Sequence, residues 1–194
     1  MSNRTGVDFS KHDLNIIKST TYSIYDLKHP EHVMMWRVKF INIDGVLVVT
    51  GDYGNWIFCR EFHPTSDGFV SDYYWCEKLQ INSEQKPYEF DSENTEKELK
   101  EGIEKGLKDY GYEGERLEKM KEYYQDCLNY VYNSEFEYTS FAYNNMLSWM
   151  DSEDVPFVKS IKIHLKYVFD AFDEICIRMK NKKEKIKTEE SISE

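Results

Sequence analysis

The chain has 194 residues, of which 40% are hydrophobic and 15% aromatic, enough apolar material to bury one substantial core. Its 36 acids against 25 bases leave a formal charge of −11, which argues against direct nucleic-acid binding, because phosphate contacts require clustered Lys and Arg. No run approaches the roughly 18 apolar residues that cross a bilayer, and the opening MSNRTGVDFSKHDLN lacks the apolar stretch of a signal peptide, so a cytoplasmic protein is expected.

Cys59, Cys76, Cys127 and Cys176 stand singly, with no Cys-x-x-Cys pair. That pattern predicts reduced, buried thiols rather than a zinc knuckle or a disulfide frame, and neither a metal nor a cofactor is expected.

Residues 1–20 are polar and weakly patterned, although Leu14, Ile16 and Ile17 suit a short helix or strand. They are read as a semi-ordered arm. Residues 21–90 form a β-rich part. Trp36, Val38 and Phe40 alternate with Arg37 and Lys39, the period of a half-buried strand running to Ile43. Asp44-Gly45 then predicts a type I′ hairpin turn, since both central residues must accept positive φ, and Val46 to Thr50 supplies the return strand. Gly51-Asp52-Tyr53-Gly54-Asn55 is a loop before a further strand from Trp56 to Phe62. Another loop, 63–68, leads to residues 70–79, where periodicity does not separate strand from helix.

From about Asp91 the composition turns to Glu, Lys and Leu, predicting a helical part over 91–180 of the same domain. A Thr95-x-x-Glu98 capping box opens the first helix, with Leu99, Ile103, Leu107 and Tyr110 on one face and Gly106 and Gly111 near its end. A second helix spans about 115–132 on Leu117, Met120, Tyr124, Cys127 or Leu128, and Val131. Ser134-x-x-Glu137 repeats the capping signal for a third helix reaching Trp149. Asp154 and Pro156 then precede a long stripe from Phe157 and Ile161 through Leu165, Phe169 and Phe172 to Met179. The lysine-rich residues 181–194 should fray into a disordered tail. The fold class is therefore α+β: a small N-terminal antiparallel meander followed by a lobe of about four helices.

Chemistry is sparse. Gly51-x-x-Gly54 lacks the Lys-Ser/Thr of a phosphate loop and precedes a strand. His29 and His32 stand three apart without a third metal ligand nearby. Asp52, Glu61, His63 and Asp72 could together support a metal-dependent hydrolase or nuclease if the fold gathers them. Two features favour partner binding instead. Tyr53, Trp56, Tyr73, Tyr74 and Trp75 concentrate beside loops, and Tyr and Trp dominate interface hot spots. Residues 127–158 contain Glu135, Glu137, Asp151, Glu153 and Asp154 but no Lys or Arg. That local negative charge suits a basic, nucleic-acid-handling protein as partner.

Trp36-Arg37-Val38-Lys39, the segment Gly51-Asp52-Tyr53-Gly54-Asn55-Trp56-Ile57-Phe58 and Trp75-Cys76-Glu77-Lys78-Leu79 resemble accessory proteins of phages and mobile elements from low-GC bacteria. The resemblance covers about a quarter of the chain. It implies an inhibitor of host defence, such as an anti-CRISPR protein blocking Cas9, acting in the bacterial cytoplasm. A structural or regulatory phage protein is the other role it allows.

Overall fold

A computed structural model describes residues 4–31, 36–64, 70–82, 86–105 and 112–192. The fold is α+β, with an antiparallel sheet in the N-terminal half and helices following it. The chain divides into two compact units, one made of residues 1–87 with 161–194 and the other of residues 88–160. The helices expected as one lobe are thus shared between two units. His32, residues 65–68, Gly106, Leu107, Tyr110 and Gly111 lie outside the described residues.

The first unit is a six-stranded antiparallel meander in sequence order. Its strands are β1 (Asp13–Lys18), β2 (Tyr22–Lys28), β3 (Val38–Ile43), β4 (Val46–Gly51), β5 (Trp56–Phe58) and β6 (Leu79–Asn82). The expected hairpin joins β3 to β4, and Asp44 and Gly45 take φ of 49° and 80°, as the turn requires. Residues 13–18, expected within a semi-ordered arm, pair instead with residues 23–28 of β2. The ambiguous stretch after residue 70 is a helix, α1 (Asp72–Lys78), because the Ser71 side chain accepts from Tyr74 N–H and caps it.

Alternate residues of the strands are buried: Tyr25, Leu27, Val38, Phe40, Leu47, Val49, Trp56 and Phe58 line one face. The long C-terminal helix α5 (Ile163–Ile192) covers that face with Leu165, Val168, Phe169, Phe172, Ile175 and Cys176. This helix starts later than the stripe suggested. Ile161 belongs to a short strand, and helix continues through residues 181–192, where a frayed tail was expected. Trp36 also departs from its expected place. It precedes β3 at φ 67° and is partly exposed, so the buried alternation begins only at Val38.

The N-terminus is fastened by charge. Arg4 is almost fully buried and bonds Asp72 at 2.6 Å and Asp170 and Asp173 at 2.9 Å each, while its guanidinium lies over the Phe169 ring. Thr5 donates to Asp170 through both its N–H and its hydroxyl. Burial pushes the Asp173 carboxyl above its ordinary value against the pull of Arg4.

The second unit contains α2 (Ser92–Lys105), α3 (Glu115–Leu128), α4 (Glu135–Asn144) and a paired strand couple, β7 (Tyr88–Phe90) and β8 (Lys159–Ile161). Asp91 caps α2, accepting from Asn94 N–H. Thr95, expected to be the cap, is buried one turn inside and accepts from Val158 N–H at 3.0 Å. The aromatic-rich core joins Leu99, Met120, Tyr123, Tyr124, Cys127, Tyr138 and Ala142. Tyrosine hydroxyls tie its elements together: Tyr123 donates to Ala142 C=O at 2.6 Å, Tyr124 to Asp154 C=O and Tyr138 to Pro156 C=O. Both α3 and α4 end earlier than the spacing predicted, at Leu128 and Asn144.

Candidate functional site

Serine 134 builds the entry to α4. Its side chain accepts from Glu137 N–H at 3.1 Å and its hydroxyl donates to the Glu137 carboxylate at 3.1 Å. This pairing keeps the sequence-predicted cap while directing the Glu137 side chain back over the helix start. Glu135 and Glu137 therefore share the first turn, where negative charge is favoured by the helix dipole. No basic residue follows in the last turn of α4. The nearest cation, Lys159, sits 4.0 Å from Glu135 and is too exposed to neutralise it tightly.

Between those two acids stands Phe136, 78% exposed. A phenylalanine so exposed gains nothing from the core of its own unit. Beside it the rings of Tyr130 and Phe141 stack at 4.0 Å and 13°. Together with Glu137, Ser140 and Asn144 these rings line a shallow groove of about 300 Å³. Tyr132, not among the residues lining the groove, is 58% exposed and is oriented by its hydroxyl donating to Glu96 at 2.7 Å. Tyr143 is partly exposed on the same helix as Phe136, seven residues on and thus two turns along the same face. Rigid aromatic rings between carboxylates, with hydroxyl and amide groups at the edge, are the make-up of a protein-docking surface.

The structure sorts the remaining expected binding residues. Asp151 and Glu153 are exposed at a 3₁₀ turn, Ser152–Asp154. Asp154 is not part of any surface. It is buried, accepts from Tyr112 hydroxyl at 2.8 Å and Asp151 N–H at 2.7 Å, and so pins that turn to the core. Burial, then the bond to Asp154, pushes the Tyr112 hydroxyl up to about 12.

Three of the five expected aromatic contacts are likewise internal. Trp56 on β5 and Trp75 on α1 are fully buried and Tyr53, in the turn before β5, nearly so, all three within the core that α5 completes. Trp75 stacks on Phe62 at 4.1 Å and Phe169 at 5.3 Å, and Tyr53 on Tyr167 at 4.5 Å. Tyr73 is 75% exposed, whereas Tyr74 is half-buried with Arg60 and Lys78 over its ring. Phe136 and Tyr132 went unnoticed in the sequence. The signal that finds them is position: Phe136 lies between two acids on the first turn of a short helix.

The Gly-Asp-Tyr-Gly-Asn-Trp segment has a structural explanation. Gly51 has φ 143°, and a Cβ there would fall 2.1 Å from the carbonyl oxygen of Arg37. Asp52 bonds Arg37 N–H with its carboxylate at 2.6 Å and Arg37 C=O with its own N–H at 3.0 Å. Trp56 Nε1–H donates to Tyr53 C=O at 2.8 Å. The segment is a corner that carries two core anchors.

The hydrolase set is not assembled. Asp52 is engaged by Arg37 and Asp72 by Arg4, while Glu61 and His63 form a pair at 2.7 Å. Gly45 N–H and then His63 hold the Glu61 carboxyl below its ordinary value. The pair borders a polar cleft of about 280 Å³ with Lys18, Ser19, Tyr22 and Asn42. Among the described residues no three His, Cys, Asp or Glu side chains converge in a metal-binding group. Cys127 and Cys176 are buried as expected, Cys76 is half-buried, and Cys59 departs from expectation in being exposed. Among the described residues no helix is long and apolar enough to cross a membrane. No family model, curated protein or solved structure matches this chain.

Proposed function

We propose that the chain is a protein-binding inhibitor of the anti-CRISPR kind. It docks the basic, phosphate-holding surface of a nucleic-acid-handling defence effector such as Cas9 in the bacterial cytoplasm. The observation that carries this reading is the start of α4, where a solvent-exposed Phe136 stands between Glu135 and Glu137 beside an aromatic groove. Residues 127–158 contain five acids and no Lys or Arg, and the exposed Lys159 beside Glu135 is only a weak competitor for the partner's Lys and Arg. Phe136 then enters an apolar pocket, supplying the desolvated anchor that charge alone lacks. No bond is made or broken in this role.

The test is binding of purified Cas9, with and without guide RNA, to wild type and to Phe136→Ala and Glu135→Lys/Glu137→Lys variants. The reading expects salt-sensitive binding, weakened at least about tenfold by each variant. Unchanged affinity in both variants removes α4 from the interface.

The Glu61–His63 pair favours a second reading, hydrolysis with His63 as general base held by Glu61, because the pair opens on a polar cleft. A substrate screen in which His63→Ala abolishes a wild-type turnover would support it.

A further inference from the structure

The six-stranded sheet has a second face, and strand register settles which side chains lie on it. Ile17 opposes Ile24, Ile24 opposes Ile41, Ile41 opposes Val48, Val48 opposes Ile57, and Ile57 opposes Ile81. Directly opposed residues project to the same side of a sheet. These six β-branched side chains therefore form one unbroken row across all six strands. The neighbouring row is apolar as well, since Tyr22 opposes Ile43 and Ile43 opposes Val46. On the other side of the aliphatic row runs a polar one, Asn15, Asp26, Lys39 and Thr50.

Among the described residues, neither hydrophobic core draws on this face. None of the six aliphatic residues is buried, and none joins either hydrophobic core. The ends of the row, Ile17 and Ile81, are 45% and 61% exposed. An antiparallel sheet with one solvated face normally alternates apolar inside with polar outside. Here the alternation is apolar on both sides for most of the sheet, and large continuous apolar patches on a protein surface mark interaction sites.

We propose that this face is where a second copy of the chain docks, sheet upon sheet about a twofold axis. Charge selects that occupant. The outward-facing strand residues carry Asp13 and Asp26 against Lys28 and Lys39, and Arg37 bonds Asp26 at the edge, so the face is within one charge of neutral on a chain of −11. A basic protein or a nucleic acid finds no complementary charge there, whereas two copies meet without repulsion. Size is sufficient. The six strands hold 32 residues, and at about 4.8 by 3.3 Å for each residue the face is roughly 500 Å². Two such faces remove about 1,000 Å² from water, the scale at which specific interfaces begin. Branched aliphatic rows interdigitate at the roughly 10 Å spacing of stacked sheets. This surface lies on a different unit from α4, so the inference stands apart from the proposed function.

Sedimentation velocity on the full chain from roughly 1 to 100 µM tests it. Wild type should move as a dimer over most of that range, and Ile24→Lys/Ile57→Lys should be monomeric, its dissociation constant raised at least about 100-fold. Ile17→Lys/Ile81→Lys, placed at the exposed ends of the row, should weaken the dimer about tenfold with an unaltered near-ultraviolet circular dichroism spectrum. Phe136→Ala should leave the dimer intact. A wild type that stays monomeric throughout, or a dimer that survives both double variants, overturns the proposal.

Discussion

The sheet unit holds a largely buried ionic network, with Arg4 gripped by Asp72, Asp170 and Asp173. The unit of residues 88–160 is tied instead by buried phenols, with Tyr123, Tyr124 and Tyr138 donating to backbone carbonyls. A buried guanidinium costs several kcal/mol to desolvate and is stable only while its carboxylates remain in place. A phenol is cheap to bury, brings a large apolar ring with it and needs a single acceptor. The first unit therefore depends on the long-range pairing of an N-terminal residue with α5, and the second on short-range ties between helices and loops. The first should fail abruptly when one charge is removed, and the second gradually.

The largest effect should come from Arg4→Ala, which leaves Asp170 and Asp173 buried without their cation and should destabilise the sheet unit by roughly 3–5 kcal/mol. Denaturant unfolding checks this, and equal loss of stability in Arg4→Lys would show that the bidentate geometry matters beyond the charge. Trp75→Ala should cost a similar amount, about 3–5 kcal/mol, because the ring is fully enclosed by Phe58, Phe62, Phe169 and Phe172. Neither change should alter the thermal transition of the tyrosine-tied unit if the two melt separately.

Gly51→Ala comes next. Its Cβ would collide with Arg37 C=O, and φ 143° is strained for any L residue, so a loss of roughly 2–3 kcal/mol is expected in thermal unfolding.

Ionisation separates the two units further. The hydroxyls of buried Tyr123 and Tyr138 and of half-buried Tyr112 are raised above their ordinary value of 10.0, chiefly by desolvation, Tyr112 to about 12. A raised folded value means that their contribution is fully present below about pH 10 and is lost as pH rises toward the folded value. Alkaline titration followed by tyrosinate absorbance should thus report loss of this unit's structure. In the sheet unit the bond from Arg37 holds Asp26 below its ordinary 3.8. That contribution is present above pH 3.8 and disappears as pH falls through the lower folded value. Asp26→Asn should flatten the acid limb of the unfolding curve. The smallest effect expected is Ser134→Ala, which removes the α4 cap for about 1 kcal/mol by chemical denaturation.

What was legible in the sequence follows the same division. The β3–β4 hairpin was readable because Asp44-Gly45 admits positive φ and Val38 and Phe40 keep a period of two. The α+β class, the start of α4 and the stripe of α3 were readable for equally local reasons. Arg4 was not, since a lone arginine in a polar arm gives no sign of three carboxylates 68 to 169 residues away. Thr95 misled because its hydroxyl bonds Val158 rather than its own helix end. Phe157 and Ile161 continue the α5 spacing by coincidence, as Ile161 ends a strand instead.

The candidate site divides likewise. Glu135 and Glu137 were placed by a capping motif, but Trp56 and Trp75 were read as surface anchors because loop-adjacent aromatics resemble hot spots until α5 covers them. Outer-face residues such as Ile41 and Ile57 escaped notice because their register with neighbouring strands appears only when the sheet is assembled.

The central claim, that the start of α4 is the docking surface, is tested most directly by hydrogen exchange on the chain alone and with its captured effector. Protection of amides from about residue 130 to 145, abolished with binding by Phe136→Ala, is the result expected. Protection confined to the sheet unit, with residues 130–145 exchanging as in the free chain, would contradict it.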